Sequence, residues 1–63
     1  MESQEQNNHN LSRGFLDSAI QLKKECKFAE AIELIKKAIE LNPYESLNFF
    51  NIGHCFHLLK NFD

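Results

Sequence analysis

His54, Cys55 and His57 are the residues of this chain whose types and spacing could do chemistry together. Two histidines three apart share a helical face and could hold a metal between them. Structural zinc needs four ligands, however, and no other ligand cluster accompanies the pair, while Cys55 points to a different face. The expectation is therefore no metal site, with both histidines meeting a partner or water. A cysteine–histidine nucleophile would need a base and an orienting group in a cleft. Three helices offer no such cleft, so no catalytic residue, no enzyme activity and no cofactor are expected. Gly14 and Gly53 stand far apart, which excludes a glycine-rich phosphate loop. Cys26 and Cys55 make no CxxC pair, and two cysteines are too few for a disulfide scaffold. They are expected to be reduced thiols, Cys26 in a turn and Cys55 packed inward.

These residues sit in a chain of 63, enough for one domain with a small core. Domains of that size are marginal and usually need a staple or a partner. The net charge is −2, and no basic stripe is present to neutralise phosphates, so nucleic acid is not an expected partner. No apolar run approaches a membrane span, and the N-terminus has the wrong pattern for a signal peptide. The expected localisation is cytoplasmic.

Three elements must position whatever the chain uses. Residues 1–11 are polar and are expected to form a disordered tail, since they cannot bury enough surface to offset their ordering entropy. Ser12 is a good N-cap type for a first helix, whose stripe is Phe15, Ala19 and Leu22, broadened by Leu16 and Ile20. The pattern breaks at Cys26–Lys27, and so short a connection makes antiparallel neighbours. A second helix runs from about Phe28 to Leu41. Asn42 offers a left-handed C-cap, and Pro43 stops the helix. Glu33 and Lys37 are an i,i+4 pair on its wet side, which with Glu30, Lys36 and Glu40 is a solvated face. A third helix starts at Tyr44–Ser46 and ends at Lys60–Asn61. Phe49, Ile52, Phe56 and Leu59 share one of its faces. Gly53 costs about 1 kcal/mol against alanine in mid-helix, which close approach of another helix would offset.

The phenylalanines hide a period. Phe15 and Phe49 differ by 34 positions, as do Phe28 and Phe62, and Ser12 and Ser46. At the same lag Leu16 meets Phe50, Ala19 meets Gly53, and Leu22 meets Phe56. Large matches large, and small matches small. A two-helix unit of about 34 residues is the length of the tetratricopeptide repeat. Over residues 12–63 the chain resembles that family. The family's large residue, small residue and aromatic are Phe15, Ala19 and Leu22, then Phe49, Gly53 and Phe56. Phe28 opens the second helix, Ala31 and Ala38 are its small residues, and Pro43 is the closing proline. The chain departs from the pattern at Leu22, where an aromatic is usual, and at Cys26 and Lys60, where a turn glycine is frequent.

The resemblance implies an all-α fold of antiparallel helix-turn-helix repeats, an α-solenoid fragment of three helices. Residues 12–44 would be one repeat, and 45–63 the first helix of a second. Ala31 and Ala38 would be small because the first and third helices press on them, with Phe15, Phe28, Phe49 and Phe56 filling the gaps. Family members bind ligands in the groove lined by the first helix of each pair. By position that groove here is Arg13, Leu16, Asp17, Ile20, Lys23, Phe50, Asn51, His54 and His57. Some members grip a chaperone's C-terminal carboxylate with lysine, asparagine and arginine. Leu16 and Ile20 stand in two of those places and only Asn51 matches, so the ligand implied is a helix or extended peptide.

One and a half repeats leave apolar surface over, because a solenoid unit relies on its neighbour to bury its face. The open end would be Phe49, Ile52, Phe56, Leu59 and Phe62, and exposed apolar patches mark contact surfaces. Two functions are thus expected. One is a non-catalytic module binding a protein or peptide through groove and open helix. The other is a structural self-assembling unit, a homodimer or a head-to-tail filament.

Overall fold

The computed structural model describes residues 4–62, with the side chains of residues 7–61. The described chain is three α-helices: α1, Gln4–Lys24; α2, Phe28–Leu41; and α3, Ser46–Phe62. Among the described residues there is no strand. α1 and α3 both pack against α2 and touch each other little. The fold is all-α, in a helix-turn-helix arrangement.

α2 matches its expected bounds. α1 begins earlier than the polar composition of the N-terminus implies: residues 4–11, expected to be disordered, are its first two turns. Residues 1–3 lie outside the described residues. Hydrogen bonding accompanies this extension where apolar burial does not, with Asn42 Nδ2 3.1 Å from His9 Nδ1 at the far end of α2. Ser12 therefore lies inside α1 and caps nothing. α3 begins where Glu45 accepts a hydrogen bond from the Leu47 backbone N–H (3.2 Å), and it runs on to Phe62, past the expected stop at Lys60–Asn61.

The two turns are built differently. At the end of α1, Lys27 N–H donates to Leu22 C=O (2.9 Å) and Cys26 N–H to Lys23 C=O (3.0 Å). This pair of bonds defines a Schellman cap, which needs a left-handed residue. Cys26 supplies it with φ of 64°, the position where glycine costs least. Asn42, expected to be left-handed, is extended instead, with φ −146° and ψ 82°. The following Pro43 accounts for this, because its ring pushes the preceding residue into the β region.

The core cluster is Leu16, Ala19, Ala31, Ile32, Ile35 and Cys55, with Ile20, Leu22, Leu34, Ile39, Ile52 and Leu59 packed around it. Ala19, Ala31 and Ala38 have no exposed surface, so the small positions of α1 and α2 do sit in tight contacts. The expected counterpart on α3 differs. No heavy atom beyond its own helix comes within 4 Å of a Cβ built on Gly53. α3 turns Asn48, Asn51 and Cys55 inward, and this rotation carries Phe49 and Phe56 outward to half exposure. Phe28 fills a core position as expected, and Phe15 is partly buried. Glu33 pairs with Lys36 (3.6 Å) rather than Lys37, whose ammonium lies 5.9 Å from the centre of the Phe15 ring.

Candidate protein-binding surface

One polar node ties all three helices together beneath the candidate groove. The Ser12 hydroxyl donates to the Ala38 carbonyl of α2 (2.8 Å) and accepts from Asn48 Nδ2 of α3 (3.2 Å). A hydroxyl has one proton. Since that proton goes to Ala38, the Asn48 amide nitrogen must face Ser12. Its Oδ1 is thereby turned to a buried position without a hydrogen-bond partner. Sequence reasoning missed Asn48. The 34-residue lag pairs Ser12 with Ser46, and an asparagine beside two phenylalanines gives no local sign of full burial. The spacing of Asn48, Asn51 and Cys55, at three and four residues, is the signal that could have found this inner stripe.

A second cluster spans α1 and α3 at the C-terminal end of α1. Lys23 Nζ donates to Asn51 Oδ1 (3.1 Å) and lies 3.3 Å from His54 Nδ1, which accepts when the ring proton is on Nε2. Asn51 is mostly buried and donates from Nδ2 to the Leu47 carbonyl (2.8 Å), so both ends of its amide are held. The Phe50 ring, 69% exposed, has its centroid 6.2 Å from that of His54. A cation, an imidazole and an aromatic ring thus stand side by side on the surface. Beneath them the Cys55 thiol is fully buried. Burial pushes its pKa above the ordinary 9.0, opposed in lesser part by the Lys23 charge.

Of the expected groove residues, Lys23, Phe50, Asn51 and His54 come together here. His57 is exposed one turn along α3, with Nε2 2.9 Å from Asn61 Nδ2. The two histidines therefore have separate neighbours, and among the described residues no three histidine, cysteine or acidic side chains converge as a metal site. Arg13 and Asp17 are exposed and pair with each other at 3.7 Å. Leu16 is a correction: it is 1% exposed in the core cluster and offers no surface to a partner. Ile20 is partly buried against the same cluster. α1 needs a large apolar residue on its inner side, and Leu16 fills that need.

The expected open end divides in the same way. Phe49 and Phe56 are each 51% exposed, whereas Ile52 and Leu59 pack against the core. The Phe62 side chain lies outside the described side chains. No described helix is long and apolar enough to cross a membrane.

Comparison of the chain with protein-family models, with curated proteins and with solved structures gave no match in any of the three.

Proposed function

We propose that the chain is a non-catalytic protein–protein interaction module of tetratricopeptide type, acting in the cytoplasm. It takes a partner helix or extended peptide along the groove between α1 and α3. The observation that carries this is the cluster of Lys23, Phe50, Asn51 and His54 at the α1–α3 seam. Phe50 offers most of its ring to solvent beside a held cation, a combination suited to a ligand with apolar and acidic groups in succession. Asn51 and Lys23 hold each other in place, so the surface is ordered before a ligand arrives, which lowers the entropic cost of binding. The repeat of large and small residues at a lag of 34 supports the family assignment.

Selection from a displayed library of amphipathic helices and peptides tests the proposal. Selected ligands should carry acidic and apolar residues, and Phe50→Ala should weaken them about tenfold or more, as expected for a central aromatic anchor. Lys23→Glu should weaken them further at low salt. Ligands that bind both variants as well as the parent chain would contradict the groove.

A further inference from the structure

α3 has a second exposed face, away from the groove cluster. Phe49, Gly53 and Phe56 lie along it at spacings of four and three residues. Both rings are half exposed, and the space beside Gly53 is open. Thirty-four residues earlier the equivalent trio is Phe15, Ala19 and Leu22. There α2 packs against α1, and Ala19 is left without exposed surface. One trio is covered by a helix of its own chain and the other is bare.

We infer that the bare trio pairs with the same trio of a second copy, the two α3 helices running antiparallel about a two-fold axis at Gly53. A two-fold contact requires a self-complementary patch. With Gly53 at the centre, Phe49 of one copy falls beside Phe56 of the other, and this happens twice. The facing glycines let the backbones approach closely. The charges agree with the same axis. Glu45 lies eight residues before Gly53 and Lys60 seven after it, so each Lys60 falls near the Glu45 of the other copy. Lys60 is the only formally charged residue in α3, so α3 itself sets no carboxylate against Glu45. Four half-exposed rings bring roughly 400 Å² of aromatic surface to the seam. Stable interfaces bury about 1,200 Å² or more. The dimer is accordingly weak and reversible, populated only as concentration rises.

Sedimentation equilibrium from about 10 µM to about 1 mM, a range that brackets weak association, tests this. The weight-average mass should climb from 7.4 kDa toward twice that value. Gly53→Glu should stay at 7.4 kDa with unchanged helicity by circular dichroism, because the free chain has room for the new side chain. Lys60→Glu should weaken association several-fold at low salt, since it sets a carboxylate against Glu45 at each end of the seam. Lys23→Ala, in the groove, should leave the dimer intact, so loss of peptide binding and loss of pairing are separable. A chain that stays monomeric to about 1 mM, or a dimer indifferent to Gly53→Glu, overturns the pairing. Failure of Lys60→Glu to weaken association overturns the antiparallel axis.

Discussion

Three single residues carry stress or bonding that the rest of the chain depends on, and each gives a measurable consequence. Cys26 holds a left-handed conformation that costs an L-residue roughly 1–2 kcal/mol. Glycine removes that cost and adds some unfolded-state entropy. Cys26→Gly should therefore stabilise the chain by about 0.5–1 kcal/mol, raising Tm by roughly 2–8 °C. Ser12 bridges α2 and α3. Ser12→Ala leaves the Ala38 carbonyl and the Asn48 amide without it, and should cost about 1–3 kcal/mol in chemical denaturation. Asn48→Leu in the same chain should recover part of that loss by removing one unsatisfied partner. Cys55 is buried as the neutral thiol, with its folded pKa raised above the unfolded one. The folded state holds its proton more tightly, so the associated stability is complete below about pH 9 and is lost as pH rises through the folded value. Between pH 9 and 10.5, Tm should fall more steeply in the parent chain than in Cys55→Ala. Parallel slopes would show that the thiol is not the group responsible. At neutral pH a thiol reagent should modify exposed Cys26 quickly and reach Cys55 only on opening of the fold.

α2 and α3 differ in how openly they declare themselves. α2 has one clean apolar stripe, a proline stop and alanines at the contact points, and each of these is local information. Its bounds, its buried face and its antiparallel neighbours were readable from the residues alone. α3 has apolar residues spread round the whole helix, so periodicity alone did not say which side faces inward. Cys55 was expected inward and is fully buried, but the four phenylalanines and the isoleucine of the helix outweighed Asn48, which is fully buried as well. The Asn48 side chain is held inward by Ser12, 36 positions away, and a bond across that separation leaves no local trace. The start of α1 was hidden for a similar reason, since its polar first turns meet Asn42 from the far end of α2. Gly53 keeps its open side in the free chain, so Gly53→Ala, measured where the chain is dilute, should gain helix propensity without a clash. The expected gain is up to about 1 kcal/mol. A loss of stability there would mean that another part of the chain covers the face.

At the scale of the whole molecule, α2 serves as the common support for two helices that hardly meet. The arrangement leaves Phe50 beside the α1–α3 seam, and Phe49 and Phe56 on another side of α3, open to solvent. Four of the nine residues expected to line a groove stand together at the α1–α3 seam. Lys23, Phe50, Asn51 and His54 follow from the positions that line the groove in the resembling family. Leu16 and Ile20 do not, because a domain this small draws its core from every large apolar side chain it has. The exposed charges of α2 are carboxylates and ammonium groups, whereas the α1–α3 seam combines aromatic, imidazole, cationic and amide groups. The most direct measurement is a backbone-amide NMR titration of the chain with a library-selected helical peptide. The amides of Lys23, Phe50, Asn51 and His54 should shift together and saturate at one affinity, with the signals of Glu30, Glu33 and Lys37 unmoved. Shifts gathered instead on the α2 charges, or spread evenly over all three helices, would contradict a binding groove between α1 and α3.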